Sequence, residues 1–414
     1  MGIDLLYIEL NMNGYGTHGL RLAREQGLST RMLCRRPDEY ARLTPDPTRL
    51  ADAVDRVDTY DVQQLLRHCV TLRPGGVIAY DDYRLLPAAV VAAQLGLPGP
   101  DPTGVLNCRY KDLTRKATAG LGRDVQYAVV ALDAIVATSP VGYPCVVKPI
   151  DDSASAGVRV CRSDVEFQNA VRAAVDHDTH ARGYRCVDAV LVEEYVAGPE
   201  YSAELLWDSG AGRWRLLGFV ETLLSDPPTC KEIAHVFPAR LDPDAARLAE
   251  KTIVDWLHAT GHRGTAAHVE FKMSESGAPA LMEINPRLGG GEIRLLLDWV
   301  LGLDVVDLYQ RLWLGRPVDL PARPMTPDAV VLRYLTPPRE GTVRRVAGPG
   351  GPHPGVIDAH LPAIGIEGVR STTTSRLGWV ATRHREHARA EAIAVDFHSR
   401  VVFDYQAAGV EPVA

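Results

Sequence analysis

Three things are missing from this chain: a long hydrophobic run, a cluster of basic residues, and paired cysteines. No apolar stretch approaches the ~20 residues needed to cross a bilayer. Lysine and arginine are scattered and the formal net charge is −7, so neither a nucleic acid nor a membrane surface is expected as a partner. The seven cysteines are odd in number and never form a CxxC pair. That argues against a disulfide framework or zinc site and for reduced thiols in a cytoplasm. The opening residues, MGIDLLYIEL, carry Asp4 and Glu9 and lack the basic flank and apolar core of a signal peptide. The expectation is a soluble cytoplasmic protein. No internal repeat occurs, and GPGGPHPG at 348–355 reads as an exposed loop.

What is present is an ordinary globular composition over 414 residues, 46% hydrophobic and 23% charged, enough for two to four domains. LLYIEL, STRMLC and GGVIAY read as strands, alternating with the helices GTHGLRLAREQG and LLPAAVVAAQLG, which implies a parallel sheet with helical crossovers. LPGPDPTG, with three prolines, marks a boundary near residue 105. A helix over roughly 107–121 follows, carrying Arg109, Lys111, Arg115 and Lys116. From about 140 the texture becomes β-rich, in YPCVVKPI, VRVC, AVLVEEYV, YSAELLW and WRLLGFVET. DPDAARLAEKTIVDWLHATG is an amphipathic helix with Asp242 at its start and Gly261 at its end. EIRLLLDWVLGLDVVDLYQRLWLG predicts further helix, and proline-rich PVDLPARPMTP separates off the last ninety or so residues.

The most informative stretch is HVEFKMSESGAPALMEINPRLGGGE, residues 268–292. Strand side chains alternate faces, so His268, Glu270 and Lys272 share one face, as do Glu283 and Asn285, with Met282 and Ile284 on the other. A turn centred between Ser276 and Gly277 puts Glu270 opposite Glu283 and His268 opposite Asn285. Like charges so opposed destabilise the pair unless something positive intervenes. Lys272 and Arg287 are one source of relief, on a solvated face. A Mg²⁺ ion is the other, since two carboxylates and an amide oxygen are hard ligands. Pro286 stops the strand, and Gly289, Gly290 and Gly291 let backbone N–H groups approach an anion, which favours a metal–phosphate site.

Such a site needs a nucleotide. Lys148 ends the apolar strand PCVVKP, where an isolated ammonium is costly unless it reaches solvent or a partner. The DDSASAG loop beyond it, with Ser153 and Ser155, is small enough to fold its amides over phosphates. In LVEEYVAGPE the backbone of Glu194, Tyr195 and Val196 is placed to meet an adenine edge, with Glu200 for ribose hydroxyls.

Taken in order, the lysine-bearing helix, VVKP with its small loop, EEYVAGPE and HVEF…MEINPR resemble the signature of the ATP-grasp superfamily, over roughly 75–320. NPRLGGG is most similar to its amino-acid ligase (carboxylate–amine ligase) branch. The resemblance implies that Lys111 and Lys148 hold ATP phosphates, that Glu193 joins the adenine hinge, and that Glu270, Glu283 and Asn285 bind magnesium. It implies Arg287 as the catalytic arginine that steadies the phosphoryl intermediate, and the three glycines with His268 beside the substrate. Two Mg²⁺ ions, with Mn²⁺ as a substitute, small-molecule carboxylate and amine substrates, and a homodimer complete the expectation. The implied architecture is α/β and α+β. It comprises a doubly wound parallel α/β domain (1–105), an ATP-grasp lid with linker helix (106–197), a catalytic lobe (198–320) and a small C-terminal α+β domain (321–414).

Other readings compete. Gly14-Tyr15-Gly16-Thr17-His18-Gly19 is a GxGxxG, with Asp38 or Glu39 following and Arg35-Arg36 for a 2′-phosphate, as in an NADP-dependent oxidoreductase. A carboxylase-type or purine-pathway ATP-grasp ligase is a second rival, and a non-catalytic nucleotide-binding protein a third. In the loop SDPPTCKEIAH (225–235), Lys231 and His235 either reach substrate or sit in a linker. Trp207, Trp299 and Tyr201 either line the pocket or pack structurally.

Overall fold

A computed structural model describes residues 2–41, 43–134, 136–175, 182–225, 231–320, 324–364 and 368–406. Two compact units divide the chain, one of Met1–Leu217, Leu241–Arg294 and Asp304–Leu320, the other of Gly218–Arg240, Leu295–Leu303 and Pro321–Ala414.

The chain opens with β1 (Leu5–Ile8), α1 (Tyr15–Glu25), β2 (Thr30–Cys34), β3 (Ala53–Arg56), α2 (Val62–Leu72), β4 (Val77–Ile78) and α3 (Asp82–Gln94). The strands form a parallel sheet in the order β3-β2-β1-β4. Every residue of β1 is buried, as expected of a strand deep in a parallel sheet whose faces helices cover. The sequence reading misses β3, a half-exposed edge strand with no apolar run. The glycine motif serves packing: a side chain at Gly16 would strike Leu10, and one at Gly19 would strike Tyr80 and Gln310.

The single helix expected over 107–121 is two helices, α4 (Pro102–Arg109) and α5 (Lys111–Ala117), broken where Tyr110 is extended at φ −96°, ψ 109°. The break has a tertiary cause: Lys111 N–H donates to Ile150 O at 3.1 Å. Asp101 caps α4 through Thr103 N–H, with Pro102 in the first turn, so the boundary expected near 105 falls inside this helix. Next come β5 (Tyr127–Ala131), β6 (Cys145–Pro149), β7 (Arg159–Cys161), α6 (Asp164–Val175) and β8 (Ala189–Glu194). They make an antiparallel sheet, β5-β8-β6-β7, over a core of Cys145, Val147, Phe167, Val190 and Val192.

The chain continues through β9 (Glu200–Asp208), β10 (Arg213–Leu224), β11 (Glu232–Phe237), α7 (Pro243–Thr260), β12 (Ala266–Met273), β13 (Pro279–Asn285), α8 (Ile293–Leu301) and α9 (Val305–Trp313). In the first unit β12 lies antiparallel between β9 and β13. As the sequence predicts, Asp242 caps α7 and Gly261, at φ 75°, ends it. The last stretch adds β14 (Ala329–Tyr334), β15 (Gly341–Ala347), β16 (Val356–His360), β17 (Val369–Ser371), β18 (Trp379–His384), α10 (His387–Ser399) and β19 (Val402–Tyr405). In the second unit β11, β14, β18 and β16 run antiparallel over Val331, Val380, Ala390 and Phe397. Among the described residues no helix is long and apolar enough to cross a membrane.

Candidate active site

The hairpin has the register its spacing predicts: His268 faces Asn285 and Glu270 faces Glu283. Beyond that pair the ladder slips, because Phe271 pairs with Leu281 and Met282 is skipped. The bulge corrects the expected alternation. Met282 does not share Ile284's face but packs with Val125, Val196 and Ala280, and Ala280 lies opposite Lys272. It also leaves the Met282 carbonyl to accept from Lys148 Nζ (3.3 Å) and Arg115 Nη2 (3.4 Å).

The polar face is not a solvated one. His268, Lys272 and Asn285 are buried, while the Glu270 and Glu283 side chains keep 31% and 22% of their exposure. Of the two cations the sequence offers for relief, Lys272 turns away, and Arg287, though held chiefly by Asp82, still feels the charges of Glu283 and Glu270. Lys272 reaches toward Glu200 (3.7 Å) and donates to Val196 O (3.3 Å), and Arg287 grips Asp82. Lys111 lies 3.1 Å from Glu283 Oε1 and also donates to Asp152 O at 2.7 Å. His268 bridges Glu204 Oε1 (2.6 Å) and Glu270 Oε1 (3.1 Å). Burial disfavours the charged ring, but Glu204 and Glu270 outweigh it and push His268 up to about 10, so the ring is an imidazolium at neutral pH.

Arg287 donates through Nε and Nη2 to the two oxygens of Asp82, at 2.6 and 2.7 Å, and approaches Asn285 Oδ1 at 3.4 Å. Despite burial, which opposes its charge, Asp82 raises the Arg287 pKa; Asp82 is itself lowered, against burial, chiefly by Arg287. The sequence reading missed Asp82. The signal available was Asp81-Asp82 between a strand and a helix, where Asp81 caps α3 and Asp82 enters its first turn. It also missed Glu204, although its two-residue spacing from Ser202 places both along the strand beside His268 and Glu270.

Lys148 is not a solvent-facing strand end. Its ammonium meets Glu193 Oε2 at 2.7 Å, and Arg115 Nε meets Glu193 Oε1 at 2.6 Å. Burial lowers the Lys148 pKa, partly offset by Glu193. Glu193 falls to about 2, because Arg115 and Lys148 outweigh a burial effect that acts the other way. Glu194 points elsewhere, into a fork with Arg123 (3.0 and 3.0 Å). Tyr195 N–H donates to Pro144 O at 3.1 Å, and the Tyr195 ring lies 5.3 Å from Lys272 Nζ. In the small loop, Ala154 and Ser155 hold left-handed backbone at φ 56° and 55°, a conformation that costs non-glycine residues on the order of 1 kcal/mol each. Ser153 N–H donates to Asp152 Oδ1 and its hydroxyl lies 3.1 Å from Tyr83 OH.

Gly289 is packed close to this network: a Cβ there would lie 2.9 Å from both Glu204 Oε2 and His268 Nδ1, whereas Gly290 faces open space and Gly291 has φ 58°. Lys111, His268, Glu270, Glu283, Asn285 and Arg287 thus form one connected group, joined through the hairpin to Lys148 and Glu193. His235 lies in the second unit, against Thr222 and Glu232, and Lys231 N–H bonds Ser225 Oγ; residues 226–230 of that loop lie outside the described residues. Trp207, Tyr201 and Trp299 pack on the rings of Trp214, Phe271 and Trp379. Among the described residues no cluster of three His, Cys, Asp or Glu could hold a metal. Two partly exposed carboxylates and an amide instead suit a cation that keeps water and phosphate oxygens, which is how Mg²⁺ binds.

Residues 141–294 match the ATP-grasp domain family. Among solved structures it is similar to the L-amino acid ligase from Bacillus licheniformis, with a TM-score of 0.78 over 98% of this chain and 99% of that one, at 20% identity. Among curated proteins it is 29% identical to carnosine synthase 1 of Gallus gallus, over 73% of this chain. It is 28% identical to the uncharacterized protein y4rH of Sinorhizobium fredii, over 74% of this chain. The chain spans 34% and 64% of the length of those two relatives.

Proposed function

We propose that this chain is an ATP-dependent carboxylate–amine ligase that forms an amide or peptide bond, joining an amino acid to a second amino acid or amine. One observation carries the reading: in an ATP-grasp fold, Glu270 and Glu283 oppose each other beside Asn285 and Arg287, with Lys111 on Glu283. A carboxylate does not condense with an amine at neutral pH until it is activated. The γ-phosphoryl group of ATP passes to the carboxylate oxygen, giving an acyl phosphate and ADP; the amine attacks the acyl carbon and phosphate leaves.

In this reading Lys111 and Lys148 hold phosphate oxygens, and Ser153 and Ser155 lie in the loop that folds over them. Glu194, Tyr195 and Val196 present backbone to adenine, with Glu200 for ribose. Glu270, Glu283 and Asn285 would hold Mg²⁺, two ions with Mn²⁺ as a substitute, which supplies charge neutralisation at the transferring group. Arg287, in its fork with Asp82, offers a preorganised cation to the acyl phosphate. His268 and the three glycines border the acyl substrate. The chain would act in the cytoplasm as a homodimer, in keeping with six described cysteines that are buried free thiols.

The test is phosphate release from ATP against a panel of amino acids and amines. Release that needs a carboxylate–amine pair and falls about 100-fold or more in Glu283→Ala supports the ligase. Bicarbonate dependence would identify a carboxylase-type relative instead, and full turnover in Glu283→Ala would remove the metal assignment.

A further inference from the structure

Among the described residues around the site, several buried carboxylates have their partners. Asp82 gives both oxygens to Arg287. Asp151 accepts from the Tyr184 hydroxyl (2.6 Å) and Val187 N–H (3.0 Å), and Asp152 from the Tyr83 hydroxyl (2.7 Å) and Ser153 N–H (2.8 Å). Arg109, the last residue of α4 and two positions before Lys111, carries a donor that lacks a partner among the described residues.

Arg109 is only 6% exposed, and its Nη2 is buried without a hydrogen-bond partner among the described residues. Its guanidinium lies over two rings, 5.0 Å from the centre of Tyr83 and 5.5 Å from that of Tyr184. Asp82 and Asp151 help balance its charge and the rings cover its face, but a ring offers no acceptor to the N–H donors at the guanidinium edge. A buried donor left unmatched is costly, which is the condition a ligand oxygen would relieve. Lys111, Lys148 and Arg287 already supply the cations proposed for phosphoryl oxygens. Arg109 is left over, and the rings against it suit an organic acid better than a hydrated phosphate.

We infer that Arg109 determines specificity in the proposed ligase by receiving the carboxylate of the amine substrate on Nη2, the donor left without a partner among the described residues. The amine substrate is therefore an amino acid or a short peptide, not a simple amine. This rests on the ligase reading. The break at Tyr110 is what makes it geometrically sensible: α4 ends on Arg109 and α5 begins on Lys111, so adjacent cations serve different anions.

The experiment compares protein amino acids with their α-amides on wild type, Arg109→Gln and Arg109→Lys. Phosphate release gives KM and kcat. Calorimetric binding in the presence of a non-hydrolysable ATP analogue gives an answer that does not depend on turnover. Expected for Arg109→Gln is a rise of about 10- to 100-fold in KM and Kd for the acid, little change for the amide, and an unchanged KM for ATP. Arg109→Lys, which keeps the charge but not the planar fork, should recover part of the loss and serves if the glutamine variant does not fold. Equal effects on acid and amide, a change confined to ATP, or no binding of any acid to the wild-type protein would overturn the inference. The ligase reading fails separately, if no carboxylate–amine pair releases phosphate from the wild-type protein.

Discussion

Arg287 and Asp82 lie 205 residues apart in sequence and are joined by two parallel hydrogen bonds, at 2.6 and 2.7 Å. Both side chains are largely buried, at 15% and 11% exposure, so each charge depends on the other. Removing one partner of such a pair costs about 3–5 kcal/mol, because the remaining charge stays buried. Asp82→Asn should therefore lower the unfolding free energy obtained from denaturant titration by that amount, and Arg287→Met in the same chain should restore part of it. Additive losses in the double variant would mean that the two groups are not coupled.

Glu193 sits between Arg115 and Lys148, with its pKa at about 2. A lowered carboxylate stabilises the fold above its unfolded pKa, near 4.5, and the benefit fades as pH falls from there toward 2. The contribution is on the order of 3 kcal/mol. Glu193→Gln should flatten the loss of stability over that window. It should also weaken ATP binding, since two buried cations lose their shared anion. Thermal melts across pH with nucleotide titration read both effects.

His262 is buried, with Nε2 at 2.9 Å from Ala266 O and no partner for Nδ1 among the described residues. Burial drives its pKa down to about 4, so the folded protein keeps the ring neutral while the unfolded chain takes up a proton near pH 6.5. Stability is unaffected above pH 6.5, declines as pH falls from 6.5 to 4, and loses about 3 kcal/mol in full. In His262→Gln that decline should be smaller. An identical acid profile for both proteins would rule this residue out as its source.

Gly289→Ala would place a methyl 2.9 Å from Glu204 Oε2 and His268 Nδ1, atoms already bonded to each other's residues. Overpacking of this kind costs about 1–3 kcal/mol. A lower melting temperature and a reduced rate of phosphate release are expected, whereas Gly290→Ala, with open space at that position, should melt like wild type.

The opposed glutamates were legible because a two-residue strand period and one turn relate positions only a few residues apart, and the resulting register is the one observed. Lys148 was legible as a lysine at a strand end and Lys111 as one carried on a helix. Their partners were not. Arg115 meets Glu193 across 78 residues and His268 meets Glu204 across 64, and no local period reports such distances. The break between α4 and α5 was hidden for the same reason, since Ile150 O takes the Lys111 amide.

Short-range spacing alone settled the hairpin register, because strand and turn geometry act over a few neighbouring residues. Which cation meets which carboxylate was decided only on folding: Lys111 on Glu283, His268 between Glu204 and Glu270, Arg287 on Asp82. Ion pairing in a buried site depends on where distant backbone segments arrive, and charge without position does not choose a partner.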